Sequence, residues 1–149
     1  MRVLKRVALG WLALVVGGFV AALVVRKNVP EHGTEEDDFV SIVAAAGGRE
    51  FSSRSEDLQH IDVLAVMGGA MVDLRNAHIA DQATMDIRIY AGGVDVVVPD
   101  GWRVEVVSKA FMGGIANRSD PDADNTAPLL LVAATIVMGG CEIHQVEGD

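Results

Sequence analysis

Asp120, Asp122 and Asp124 stand at alternate positions of one stretch, the spacing with which a calcium loop begins. A loop of the EF-hand kind needs glycine at its sixth position for the sharp turn and a bidentate glutamate at its twelfth. Asn125 and Leu131 hold those places here, so the better reading is a solvated loop tip. Cys141 is the sole cysteine, which excludes an intrachain disulfide and leaves a buried thiol as the reading, with an accessible thiol or an intermolecular bridge as the alternative. His32, His60, His78 and His144 show no i,i+4 pair and no neighbouring cysteine, so nothing in their spacing makes a zinc site. Nucleophile elbow, P-loop and dinucleotide fingerprint are all missing. No catalytic, cofactor-binding or metal-ligating residue is assigned, and no cofactor is expected.

The elements that would have to position any chemistry announce themselves more clearly. Gly-Gly pairs fall at Gly47-Gly48, Gly68-Gly69, Gly92-Gly93, Gly113-Gly114 and Gly139-Gly140, spaced by 21, 24, 21 and 26 residues. Self-similarity at such a period marks a stacked repeat. Aligned on the glycines, the first residue after each pair is Arg49, Ala70, Val94, Ile115 and Cys141, and the third is Phe51, Val72, Val96, Asn117 and Ile143. Between them fall Glu50, Met71, Asp95, Ala116 and Glu142, so apolar and polar positions alternate as in a half-buried strand. Upstream, Ile42, Val63, Ile87, Ser108 and Ala134 share one column and Ala44, Ala65, Ile89, Ala110 and Ile136 another, with Arg88 and Lys109 facing out.

Each unit is then strand, glycine corner, strand, loop, and the expected fold is an all-β parallel solenoid of about five coils; a β-sandwich with Gly-rich turns is the alternative. Stacked in chain order, the coils would separate Glu50, Asp95 and Glu142 by Met71 and Ala116, which spares like charges a direct contact. Pro99-Asp100-Gly101 reads as a turn ending one strand. Pro99, Gly101 and the ten paired glycines form the set of structural turn residues. Gly93 is expected among those with positive φ. Met67, Met112 and Met138 precede glycine pairs as one packed column, and Trp102 packs at a coil corner. The polar first coil, with Arg49, Glu50 and Arg54, serves as a cap.

Ahead of the repeat, residues 7–25 run for 19 residues without a charge, enough at about 1.5 Å per residue to cross a hydrocarbon core. Residues 1–6 form a basic tail and Arg26-Lys27 a stop-transfer flank. The alternative is a cleaved signal peptide, for which Val20-Ala21-Ala22 offers a site. Residues 26–39 read as an acidic, solvated tether and residues 40–149 as one β domain. The resulting expectation is a single-pass membrane protein contacting the lipid bilayer through residues 7–25, its domain placed outside the cytoplasm. Residues 31–149 carry 7 Lys+Arg against 21 Asp+Glu, a balance that opposes phosphate backbones, so nucleic acid is excluded as a partner.

The segments Val63-Leu64-Ala65-Val66-Met67-Gly68-Gly69, Asp73-Leu74-Arg75-Asn76-Ala77 and Val94 to Trp102 together resemble the C-terminal domain of the LiaF-like proteins, the cell-wall-active antibiotic response family. Asp73-Leu74, Ala77, Pro99 and Trp102 match that pattern position by position, while Met67, Ala91, Met112 and Met138 replace its aromatic before the glycines. The resemblance covers about residues 40–145 and implies envelope-stress signalling by contact with a membrane histidine kinase or another envelope protein, without enzymatic residues. Where the family typically carries several membrane helices, this sequence has one span. The rival function is a self-assembling scaffold of bactofilin type, and a homo-oligomer remains open under either.

Overall fold

The computed structural model describes residues 1–28 and 33–146. Among these residues one α-helix precedes six β-strands. Helix α1 (Arg2–Asn28) contains a stretch of 23 residues, Val3–Val25, that by length and composition is long and apolar enough to cross a membrane. It begins earlier than the uncharged run because Arg2, Lys5 and Arg6 are good helix formers and extend its first turns. Near its end Ala22 is fully buried against Val43 and Ala45. Gly18 lies alongside Met67, where a Cβ would come 2.8 Å from the Met67 sulfur.

The strands are β1 (Phe39–Ala45), β2 (Gly48–Ser52), β3 (His60–Asp73), β4 (Gln82–Pro99), β5 (Arg103–Arg118) and β6 (Leu129–Val146). All pair in parallel in one sheet of order β1-β3-β4-β6-β5, with β2 continuing β1 along β3. A mostly β chain with one apolar helix and a parallel, glycine-bent sheet is consistent with a solenoid. The glycine alignment is the actual register: Gly68 faces Gly92, Gly92 faces Gly139, and Gly139 faces Gly113.

The order, however, is not that of the chain. β6 lies between β4 and β5, so Asp95 and Glu142 are direct neighbours and Ala116 falls at the end of the row. The separation of acids expected from sequential stacking is absent for this pair.

A sheet with period-2 side chains cannot keep one face inward across a corner unless its parity resets. Ile87 and Ile89 point inward before the corner of β4, and Val94, Val96 and Val98 after it, a switch from odd to even numbers. The reset occurs at the first glycine of the pair. Gly92 has φ 141° and Gly139 φ 133°, and a Cβ on either would lie 1.8 Å from the carbonyl oxygen of the first glycine on the next strand. The backbones stack at the corner with no room for a side chain. Gly93, expected among the left-handed positions, is not one of them, and its Cβ would sit 3.6 Å from its nearest neighbour. In the β1 and β3 corners the left-handed residue comes one place earlier, at Ala46 (φ 53°) and Met67 (φ 50°).

The inward columns make one apolar core from Ile42, Val63, Ile87, Val132 and Ile136 on one arm to Val72, Val96 and Ile143 on the other. Leu58, Leu74, Ala77 and Ile79 close its third side. Trp102, 6 % exposed, packs into it just after the turn at Gly101 (φ 84°), and Gln145 Nε2 donates to the carbonyls of Pro99 and Trp102.

The two ends differ. At β1, Val40 and Ile42 to Ala45 are all buried, and Gly33 crosses against Phe39 and Val40. Residues 34–38, expected as a free tether, are docked: Glu35 pairs with Arg54, Ser55 Oγ donates to Asp38 Oδ1 at 2.6 Å, and Gln59 and His60 backbone N–H groups donate to the Asp38 carbonyl. Residues 29–32 of that segment, His32 included, lie outside the described residues. At β5 the inward Ser108 and Ala110 are exposed, as are Val107 and Phe111 on the outer side.

Candidate functional site

Beyond the glycine corner the second arm of the sheet borders an open trough of about 1220 Å³. Its charged lining includes Glu50, Asp95, Glu142 and Arg118. Because alternate residues of β4, β6 and β5 point the same way, register brings Asp95 beside Glu142 and His144 beside Arg118. His144 Nε2 lies 3.1 Å from Asp95 Oδ1 and 3.7 Å from Glu142 Oε2, while Arg118 Nε lies 2.9 Å from Glu142 Oε1. Two carboxylates brought together by the strand order thus have an imidazole within 3.7 Å of both and a guanidinium paired with one.

Cys141 borders the same trough but its side chain is turned inward and is 4 % exposed. Burial, with the nearby Asp95 charge, pushes its thiol up to about 12, so it is protonated and unreactive at neutral pH. A protonated thiol is neither a nucleophile nor a metal ligand. Asp95, Glu142 and His144 are near one another, with the Cys141 thiol turned away from them into the core.

The other residues singled out from sequence stay apart. Asp120 Oδ1 accepts from the Asp122 N–H and Asp124 Oδ1 from the Thr126 N–H, and that hydrogen bonding holds Asp124 below its usual pKa. These acids shape their own loop. His60 Nδ1 lies 2.7 Å from Thr84 Oγ1, and His78 uses its backbone to bond Leu58 and Ser55. No three His, Cys, Asp or Glu side chains converge as metal ligands among the described residues. Asp73 is held low by the Arg75 guanidinium, whose Nη2 donates to Asp73 Oδ2 at 2.7 Å. Arg88 reaches across to both carboxylate oxygens of Asp62 at 2.9 Å. Met112 faces Met138 and both are about half exposed, whereas Met67 packs beneath α1, so the three methionines do not form one packed column.

Comparison with known families gives one match. The family described as Cell wall-active antibiotics response LiaF, C-terminal, fits residues 46–127, which is 82 of the 149 residues and includes β2 through β5. That description places the domain in the response to cell-envelope stress. No curated protein and no solved structure matches the chain.

Proposed function

Because the chain belongs to the LiaF-like C-terminal family, we propose that it is a single-pass membrane protein that acts in the cell-envelope stress response by occupying a partner, without turnover. The bent sheet is read as a short solenoid whose five rungs run β1 with β2, β3, β4, β6 and β5. The observation that carries the reading is the family match on a sheet led by one apolar helix. The local contacts support it, since Arg118 is ion-paired with Glu142 and His144 Nε2 lies within 3.7 Å of both Asp95 and Glu142. A membrane histidine kinase or another envelope protein is the proposed partner. A bound regulator shifts such a partner only by the difference in its affinity for the partner's two states.

The test is genetic. Deleting residues 40–145 changes basal envelope-stress output, while Asp73→Asn, Asp95→Asn and His144→Ala, each shown to fold, keep it near the wild-type level. A folded point variant that matched the deletion would overturn action by occupancy.

We place the β domain outside the cytoplasm. Ser55 is buried with its hydroxyl on Asp38, so Glu56→Cys, on the exposed neighbour, is the suitable reporter. Labelling by an impermeant maleimide in intact cells is expected; labelling only after lysis would reverse the orientation. The end-to-end scaffold is the weaker reading, because a filament favours apolar ends and the first rung carries the exposed charged residues Arg49 and Glu50 on β2.

A further inference from the structure

One long strand edge is left open. β5 pairs with β6 on one side and with no strand on the other among the described residues. Its outward column before the corner reads Arg103, Glu105, Val107, Lys109, Phe111. Val107 is 71 % and Phe111 84 % exposed, and Lys109 makes no ion pair among the described residues. Native sheets usually blunt such an edge, because its unpaired backbone groups template further pairing.

The column is complementary to its own reverse. Turned about Val107, Glu105 falls opposite Lys109, Lys109 opposite Glu105, and Phe111 opposite Arg103, with Val107 opposite itself. We propose that two copies of this chain join through β5 by antiparallel edge pairing about a two-fold axis at Val107, forming a closed dimer with one sheet continuous across it. Each copy then supplies both members of two symmetry-related charge pairs, an isologous contact. Shifting the centre to Glu105, Val106 or Lys109 would set like charges directly opposite, and shifting it to Ser108 would leave Glu105 and Lys109 unpaired, so the centre at Val107 is the one that matches both charge pairs. The same pairing places Ala110 beside Val104 and Ser108 beside Val106 of the second copy, covering the inward positions left open at this end.

A second copy fits this edge for a further reason. A contact about a two-fold axis uses this edge once per chain, so it closes as a dimer instead of growing. This inference stands on β5 alone and is independent of the signalling role.

Disulfide trapping of the full chain in membranes tests it. Facing residues at the two-fold axis have Cα atoms about 4.5–5.5 Å apart, within disulfide reach. Val107→Cys is therefore expected to give, under mild oxidation, a band at twice the chain mass. Ala133→Cys, on the strand next to Val107 and also exposed, serves as the control. Across the dimer its two copies would be about 14 Å apart, three strand spacings, and should not cross-link.

In the Val107→Cys background, Glu105→Lys should remove most of the dimer band and adding Lys109→Glu should restore it. Within one strand those residues are about 13 Å apart, so rescue can arise only between copies. A monomeric Val107→Cys protein would overturn the dimer, as would equal cross-linking at Ala133 or a band at the mass of a different partner. Failure of the charge reversal to rescue would overturn the register.

Discussion

Asp95 and Glu142 are cross-strand neighbours on β4 and β6, and His144 Nε2 stands between their carboxylates at 3.1 and 3.7 Å. Like charges directly opposite in a sheet repel, so Arg118, ion-paired to Glu142, offsets part of a penalty that the strand order itself creates, and the imidazole between the acids adds to this when it carries a proton on both nitrogens. Removing His144 should expose that penalty. His144→Ala is expected to lower stability by about 0.5–1 kcal/mol in a denaturant titration, given the partial exposure of the group. In an Asp95→Asn background the same substitution should cost clearly less. Equal costs in both backgrounds would mean that His144 acts through packing and not through the acids.

The glycine stack separates positions that look equivalent in sequence. Gly139→Ala forces a Cβ to 1.8 Å from a backbone oxygen at a left-handed φ, and should destabilise by about 3 kcal/mol or more. Gly93→Ala, next to a left-handed glycine but itself in ordinary backbone with 3.6 Å of clearance, should stay within about 1 kcal/mol of wild type. Thermal melts followed by circular dichroism compare the two. Similar losses would show that the corner does not turn on its first glycine.

Cys141 gives a pH signature. Its thiol is raised from an ordinary 9.0 to about 12 by burial and the Asp95 charge. Below pH 9 it is protonated in both folded and unfolded chains and contributes no slope. Above pH 9 the unfolded chain loses that proton while the folded one keeps it, so stability falls by up to about 1.4 kcal/mol per pH unit toward pH 12. Melts between pH 8 and 10.5 should show a steeper alkaline decline for wild type than for Cys141→Ala. Parallel declines would place the thiol in water, as would native-state alkylation at pH 8.

The apolar helix predicts retention in the bilayer. Full-length protein should stay in the membrane fraction after high salt and alkaline wash, at its unprocessed mass. Processing near Ala22 would strip α1 from the Val43 and Ala45 surface it covers. A soluble form trimmed there would establish a cleaved leader instead.

Strand alternation, the corner positions and the parallel register were legible because each rests on local pattern, period 2 and paired glycines. Strand order was not, because β5 and β6 carry the same glycine frame and either fits beside β4. The deciding signal is the inward column. β6 offers Leu130, Val132, Ala134 and Ile136, suited to burial on both flanks, while β5 offers Ser108, Ala110 and Asn117, suited to an end. Without that order the cluster of Asp95, Glu142, His144 and Arg118 could not be assembled from sequence. The docking of residues 34–38 was likewise hidden, since an acidic stretch reads as solvated until Arg54 and the Ser55 hydroxyl are brought to it.

The out-of-order sheet also bears on how the protein is made. During synthesis β5 leaves the ribosome directly after β4, yet its only strand neighbour among the described residues is β6. Until β6 has emerged, β5 has no partner and the flank of β4 that β6 will cover is bare. A nascent chain halted near residue 128 therefore holds β4 paired on its β3 side only and β5 with no strand beside it. Sheet completion must wait for the last strand, which settles between two that were made before it.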